Sequence, residues 1–168
     1  NLLLEMGFYL ERWQEIEELE DEIQVLKKYI RENLWDEETG FLYDQYADGS
    51  LAKTKGIGAY WALFTDVLDD AQTKRLVSEL ENPATFNRKF RIPSLSADNP
   101  RYKANGRYWQ GGIWPGTNYM VMNGLVKKGY RQLAREIALS HFDQVFQVYK
   151  NTGTFFFFYA PEAAEPGF

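Results

Sequence analysis

The sequence contains no cysteine and only one histidine, His141. Disulfide bonds are therefore excluded, and no metal site is expected because zinc sites depend on cysteine and histidine ligands. Acidic residues outnumber basic ones by 24 to 19, and this net charge of −5 argues against a nucleic-acid partner. No apolar run approaches the roughly 18 residues that a membrane-spanning helix needs, so no membrane segment is expected. We interpret His141 as a core or groove residue.

Apolar residues recur at spacings of three and four, which is typical of amphipathic helices. This pattern predicts paired helices at about 2–34, 57–81 and 115–150. Within the first pair, a helix over about 2–18 precedes the acidic cluster 17–22, which favours a second helix N-terminus because the helix dipole is positive there. The same residues also fit one long helix, since neither glycine nor proline marks the junction.

Helix ends are indicated by residues with special backbone or capping properties. Asp70 is predicted to cap a helix that ends before Pro83. Pro115 suits the first position of a helix, because its missing N–H would be unpaired there, and Gly129 suits a left-handed stop. The segment 57–68 carries apolar residues around most of its surface, which predicts burial on more than one side.

Three long aromatic-rich segments, at 35–56, 82–114 and 151–168, follow the predicted helix pairs. Two antiparallel helices return the chain to where it started, so these segments should gather at one end of the molecule. The fold predicted is a toroid or solenoid of αα-hairpins with aromatic loops at one mouth. A structureless segment as long as 82–114 usually indicates function.

Residues 106–119 contain four aromatic residues and four glycines within fourteen positions. Glycine allows positive φ and a close approach of the backbone to a ligand, while Trp and Tyr combine flat apolar faces with a polar edge. Sugars have matching apolar C–H faces and hydroxyl rims, so this pattern predicts a carbohydrate ligand at a helix N-terminus. The alternative is a loop whose tryptophans fill the core.

The run 108–119 resembles the Trp-rich segment of the trehalase-like and processing α-glucosidase-like glycoside hydrolases of families 37 and 63. Residues 34–44 are similar to the helix-end element of these enzymes, and 159–162 with 166–167 are similar to their C-terminal segment. The resemblance implies an all-α fold, with 1–168 as a single partial domain of an (α/α)6 toroid. It also implies inverting hydrolysis of an α-glycosidic bond with no metal or organic cofactor.

The candidate substrate-binding residues are the aromatic, glycine and polar positions of this loop together with one later tyrosine: Tyr108, Trp109, Gln110, Gly111, Gly112, Trp114, Pro115, Asn118, Tyr119 and Tyr159. Among them, we expect Trp109 and Trp114 to line a sugar-sized groove. Hydrogen bonds to the sugar are expected from Gln110, Asn118 and Tyr119.

The catalytic carboxylates of the family are not matched here. The resemblance places the general acid upstream of the matched region and the general base two residues before Tyr159, where this chain has Phe157. Inverting hydrolysis needs an acid and a base about 6.5–9.5 Å apart, and phenylalanine cannot accept a proton. Glu162 is the nearest carboxylate and a low-probability substitute; its other role would be to brace the loop.

Three interpretations remain open: a segment of an α-glycosidase, a non-catalytic carbohydrate-binding or scaffold module, and a structural helical repeat with core aromatics. Three hairpins form about half of a six-hairpin toroid, so its open edges would expose apolar helix faces larger than monomers usually tolerate. We expect the remainder of the toroid or another chain to cover them.

Overall fold

The computed structural model describes residues 2–168, in which long irregular loops connect an N-terminal helix pair, a single central helix and a C-terminal helix pair. The helices are α1 (Leu2–Tyr9), α2 (Trp13–Tyr29), α3 (Asp70–Ser78), α4 (Pro115–Lys127) and α5 (Arg131–Thr152). A π-helical turn (Ile30–Leu34) and a 3₁₀ helix (Ile57–Phe64) complete the helical elements, and strands β1 (Trp35–Asp36) and β2 (Phe41–Leu42) pair antiparallel. No helix in the described part of the chain is long and apolar enough to cross a membrane.

The first helix pair differs from its sequence prediction. The helix predicted over 2–18 is broken at residues 10–12, where Glu11 has a φ of 54°, and α2 then runs through the acidic cluster. The cluster 17–22 therefore lies inside a helix, not at an N-terminus. Gly7 explains the tight return of the chain, because a Cβ there would lie 2.7 Å from Cγ1 of Ile16. Only glycine lets α2 approach α1 so closely.

The cap of α3 is Asp69, so the prediction of Asp70 is wrong by one residue. The Asp69 carboxylate accepts the backbone N–H of Gln72 at 2.7 Å, and the Gln72 side chain accepts the Asp69 N–H at 3.2 Å. This reciprocal pair satisfies two N–H groups of the first turn. The helix ends at Ser78 and irregular turns lead from there to Pro83.

The predicted pairing of helices within 57–81 is also wrong. The segment forms a 3₁₀ helix that packs on α4, while α3 packs against β2. Gly124 of α4 makes this possible, since a Cβ at that position would lie 2.8 Å from Cβ of Leu63. The α1–α2 and α4–α5 pairs do pack as hairpins, and Gly129, with a φ of 87°, follows α4 as predicted.

The centre of the main core is an aromatic cluster of Phe41, Tyr60 and Phe86, each with no exposed surface. Phe41 and Phe86 stack with ring centroids 6.1 Å apart, and Tyr60 meets Phe86 edge-on at 5.4 Å. Phe86 belongs to the segment 82–114, which has no regular secondary structure. This segment is therefore a structural part of the core as well as a connection.

Candidate functional site

Backbone hydrogen bonds join the three long loops, residues 35–56, 82–114 and 151–168, into a continuous unit that we call the loop layer. The N–H of Ser96 donates to the carbonyl of Lys55 at 3.0 Å. At the other side, Ile113 and Tyr159 exchange both of their hydrogen bonds, at 2.9 and 3.0 Å. The predicted gathering of these loops at one place is thus present, and their contacts are direct.

Four aromatic rings in the loop layer form an ordered group that we call the aromatic stack. Trp109 stacks on Trp114 with centroids 4.4 Å apart, and Trp114 stacks on Phe158 at 4.6 Å. Tyr108 meets Trp114 edge-on at 5.1 Å. Trp109 is the outermost layer and remains 47% exposed, so one indole face is available to a ligand. Flat rings of this kind suit the apolar face of a sugar.

Glycine at position 112 is required beneath the stack. A Cβ there would lie 2.5 Å from the carbonyl oxygen of Tyr108 and 3.1 Å from Cδ2 of Phe158. The Gly112 N–H donates to that same carbonyl at 3.0 Å, which holds Tyr108 in the left-handed region with a φ of 45°. A non-glycine residue is rarely found in that region without a reason in the surrounding structure.

An aromatic cleft of about 510 Å³ lies beside the stack, at the N-terminus of α4. Its lining residues are Trp61, Trp114, Pro115, Gly116, Thr117, Met120, Phe156 and Phe157. The first-turn N–H groups of a helix have no partners within the helix, so Gly116 and Thr117 offer hydrogen-bond donors at an otherwise apolar surface. The cleft can therefore contact apolar C–H groups and donate hydrogen bonds to a few hydroxyl oxygens.

Two of the predicted substrate-binding residues, Asn118 and Tyr159, make hydrogen bonds inside the protein. The buried Asn118 side chain donates to the carbonyl of Arg91 at 2.9 Å and lies 3.4 Å from Nδ1 of His141. The buried Tyr159 hydroxyl accepts the N–H of Phe156 at 3.1 Å. In this conformation both residues support the loop layer from within, and their contact with substrate stays a prediction.

The remaining predicted residues divide between the surface and the interior. Tyr119 is 63% exposed, whereas Gln110 is partly buried and its carbonyl accepts the N–H of Lys103 at 2.7 Å. Gly111 and Gly112 are buried behind the stack. Of the predicted residues, Trp114 and Pro115 line the cleft, and Tyr108 and Trp109 contact Trp114 in the aromatic stack. Gln110 and Tyr119 do neither.

Burial separates His141 from solvent and lowers its pKa below the ordinary value. Its ring meets that of Tyr159 edge-on, with centroids 6.2 Å apart. Gln144, one helical turn further along α5, is buried and donates to the carbonyls of Ala160 and Ala163 at 2.5 and 3.3 Å. Helix α5 therefore holds the C-terminal segment through polar contacts. Within residues 2–168, no group of His, Asp and Glu side chains is arranged to hold a metal ion.

The two residues considered for the role of base have opposite surroundings. Phe157 is 86% exposed and lines the aromatic cleft. Glu162 accepts Nε of Arg88 at 2.5 Å and the hydroxyl of Tyr102 at 2.8 Å. The hydrogen bond to Glu162 raises the pKa of Arg88, and burial followed by the same carboxylate raises that of Tyr102. Glu162 thus joins two parts of the loop layer and does not line the aromatic cleft.

Sequence reasoning missed six residues of the site: Trp61, Gly116, Thr117, Met120, Phe156 and Phe158. Trp61 was assigned to a buried helix, yet it is 51% exposed. A tight 3₁₀ geometry, with three residues per turn, places Trp61 on a different side from the buried Tyr60 and Leu63. The run of four phenylalanines was the available signal for the other side of the cleft, because such a run is unusual outside a core.

Comparison with known proteins identifies the family. The model of the mannosylglycerate hydrolase MGH1-like glycoside hydrolase domain matches residues 2–163. The chain belongs to this MGH1-like glycoside hydrolase family. It is 29% identical over 107 residues to mannosylglycerate hydrolase from Thermus thermophilus, which covers 63% of the chain and 25% of that relative.

Two solved structures support the fold of this MGH1-like domain. A GH63 mannosylglycerate hydrolase from Thermus thermophilus, solved in complex with Tris, superimposes with a TM-score of 0.68 and 25% identity, over 82% of this chain and 32% of that one. Neutral trehalase from Saccharomyces cerevisiae superimposes with a TM-score of 0.73 and 13% identity, over 86% and 26%. The resemblance to families 37 and 63 and the (α/α)6 toroid fold are thereby confirmed. The chain spans about a quarter of the length of the curated relatives that it matches.

Proposed function

We propose that this MGH1-like domain binds the sugar of an α-linked glucoside or oligosaccharide within an inverting α-glycosidase. The observation that carries the proposal is the half-exposed Trp109, stacked on Trp114 beside the aromatic cleft. Relatives named mannosylglycerate hydrolase, neutral trehalase and mannosyl-oligosaccharide glucosidase all act on sugars by name, which supports this assignment. One indole face and the free amides of α4 provide the two types of contact that a sugar ring needs.

The proposal includes a missing base. Phe157 lines the cleft and is largely exposed. The resemblance to families 37 and 63 implies a catalytic glutamate at this position, and none of the described residues that line the cleft is a carboxylate. Glu162 is a poor substitute because Arg88 and Tyr102 already occupy one of its oxygens. A water molecule in this cleft would therefore find no side chain among the described lining residues able to take its proton.

Binding is tested by titrating the 168-residue chain with trehalose in a calorimeter. Trp109→Ala removes the exposed indole face and should weaken binding about tenfold, which corresponds to roughly 1.4 kcal/mol. Trp13→Ala is the matched control, since Trp13 is also exposed but lies on α2, away from the cleft. Equal losses in both variants, or no loss at Trp109, would contradict a sugar-binding role for the stack.

The missing base is tested in the longest natural protein that carries this sequence. We expect no turnover of α-glucosides by the unchanged protein, and about 10²- to 10⁴-fold gain over background for Phe157→Glu, the usual contribution of a general base. Glu162→Gln should leave the activity of that variant largely in place. Turnover at a normal rate by the unchanged protein, abolished by Glu162→Gln, would instead assign the base to Glu162.

A second candidate function is a non-catalytic carbohydrate-binding module. The absence of a carboxylate among the described residues of the aromatic cleft favours it. The two functions diverge in one measurement: a binding module takes up sugar but stays inactive even with Phe157→Glu. If the chain binds no sugar, the structural helical repeat is the only one of the three interpretations that remains.

A further inference from the structure

A second cleft, of about 370 Å³, lies on the other side of Trp61. Its lining includes the π-helical turn, β2, the 3₁₀ helix and the segment between them, and the complete set is Ile30, Leu34, Leu42, Tyr43, Asp44, Thr54, Gly56, Gly58, Ala59, Trp61, Ala62, Thr65 and Val67. Trp61 lines this cleft and the aromatic cleft alike. The two clefts are therefore neighbours with one half-exposed indole between them.

Asp44 gives the second cleft a carboxylate with no partner. Its backbone carbonyl accepts the N–H of Ala52 at 2.8 Å, but among residues 2–168 no donor lies within hydrogen-bonding distance of its side chain. Asp36, at the other side of the same hairpin, provides the contrast. It accepts the N–H and hydroxyl of Thr39 at 3.0 and 2.6 Å and pairs with Lys53 at 2.9 Å. Asp36 is occupied by the fold, whereas Asp44 is available to a ligand.

No cation balances Asp44 within either cleft. The lining of both clefts contains no Lys, Arg or His among the described residues. The two nearest lysines in sequence to the cleft residue Thr54 are engaged elsewhere: Lys53 pairs with Asp36, and Lys55 pairs with Glu79 at 3.0 Å. The described lining of the second cleft therefore carries one negative charge and no positive charge, and the nearby Lys53, 5.9 Å from the ring centroid of Tyr43, is paired with Asp36.

We propose that the second cleft binds a further sugar unit of an uncharged oligosaccharide that passes over Trp61 from the aromatic cleft. This inference rests on the proposed function, because the aromatic cleft must hold the neighbouring unit. An ionised carboxylate only accepts hydrogen bonds, and it has room for two sugar hydroxyls. Thr54 adds a hydroxyl, and Trp61 offers a stacking surface between the two units. The same carboxylate repels a glycoside whose negatively charged group enters the cleft.

The experiment compares ligands that are matched in length but differ in charge. Calorimetry on the 168-residue chain uses glucose, maltotriose and two singly charged forms of maltotriose, one oxidised to a carboxylate at each end. Maltotriose should bind at least tenfold more tightly than glucose. At least one of the charged forms should bind about tenfold more weakly than maltotriose, in line with the repulsion of two charges in a partly shielded cleft.

Variants of Asp44 and Trp61 separate the contribution of the negative charge from that of stacking on the indole. Asp44→Asn should abolish the discrimination against the charged form, and Asp44→Lys should reverse it. Trp61→Ala should reduce the affinity for maltotriose towards that for glucose, while Trp61→Phe should keep part of the gain. Asp21→Asn is the control for net charge, since Asp21 is exposed on α2 and lines neither cleft.

The outcomes distinguish this inference from the proposed function. If glucose binds and Trp109→Ala weakens it, but maltotriose binds no tighter and the Asp44 variants change nothing, the second cleft is not a sugar site and the first remains one. If no sugar binds, both assignments are overturned. If Asp21→Asn changes the preference for uncharged over charged maltotriose as much as Asp44→Asn does, the preference comes from the net charge of the protein. That result would also overturn the inference.

Discussion

The N-terminal helix pair, residues 2–29, and the loop layer have opposite relations between regularity and burial. The helix pair is regular, yet most of its large apolar side chains are exposed: Leu2, Leu3, Met6, Phe8, Tyr9, Leu10, Trp13, Val25, Leu26 and Tyr29. The loop layer has almost no regular structure, yet it contains fully buried residues: Phe41, Phe86, Ile92, Ile113 and Tyr159. Regular secondary structure is therefore a poor guide to where this chain is held together.

The difference follows from where the backbone hydrogen bonds are made. A helix satisfies most of its own N–H and C=O groups, so α1 and α2 keep their form with one side unpacked. Loops have no such internal pattern, and a buried loop must find partners elsewhere in the chain. The pair formed by Ile113 and Tyr159 and the contact of Ser96 with Lys55 are such partners. The prediction that further polypeptide covers the exposed helix faces stays a prediction.

The largest effect expected from this comparison concerns two phenylalanines. Phe86→Ala should destabilise the protein by about 3–5 kcal/mol, because it opens a cavity between Phe41 and Tyr60. Phe8→Ala in α1 should cost less than about 1 kcal/mol, since Phe8 is 53% exposed. Urea unfolding of both variants measures the two losses. If the two variants lose similar free energies of unfolding, Phe8 must be buried in solution by contacts that are not present in this structure.

A smaller effect is expected from two glycine substitutions. Gly112→Ala brings a methyl group to within 2.5 Å of the Tyr108 carbonyl, and overpacking of this kind typically costs about 1–3 kcal/mol. It should also weaken sugar binding, because the aromatic stack must shift. Gly58→Ala is the matched control, as its new Cβ meets no atom within 4 Å. If Gly112→Ala lowers the free energy of unfolding no more than Gly58→Ala does, the loop layer can rearrange to accept the methyl group, and the close contacts at Gly112 are not essential.

The smallest effect is a pH dependence that arises on α5, where His141 packs against Tyr159 of the loop layer. Because burial lowers the pKa of His141, the native state binds fewer protons than the unfolded chain just below the ordinary histidine pKa of about 6.5. The free energy of unfolding should therefore fall as the pH drops from 7 towards 5. His141 is the only histidine in the chain, so His141→Gln should remove most of this slope. If His141→Gln leaves the pH dependence of the free energy of unfolding unchanged, that dependence comes from carboxylates instead.

Signals within a few residues of each other predicted the local features of the fold. Pro115 at the start of α4 and Gly129 after its end depend only on backbone geometry, and both were predicted correctly. The contact between Gly124 and Leu63 could not be predicted, because nothing in either segment indicates its partner. The helix pairing within 57–81 failed for that reason, since the apolar pattern shows that a segment is buried and not against what.

The candidate site shows the same division. The composition of residues 106–119 indicated the exposed aromatics, and the structure places Trp114 in the lining of a cleft with Trp109 stacked on it. The exposure of Trp61 was missed because the apolar residues of its segment cover most of the helix surface, so the pattern does not show which side meets solvent. The pairing of Glu162 with Arg88 joins residues that are 74 positions apart, so its sequence neighbourhood gave no indication of it.

That pairing also constrains the order in which the polypeptide can mature during translation. Chains are synthesised at about 5–20 residues per second, so Arg88 leaves the ribosome on the order of 4–15 s before Glu162 does. Phe158 lies 44 positions beyond Trp114, so for about 2–9 s Trp109 and Trp114 have neither Phe158 behind them nor Tyr159 beside Ile113. For those seconds the aromatic stack, which we propose binds sugar, is an exposed apolar segment of the nascent chain to which chaperones can bind.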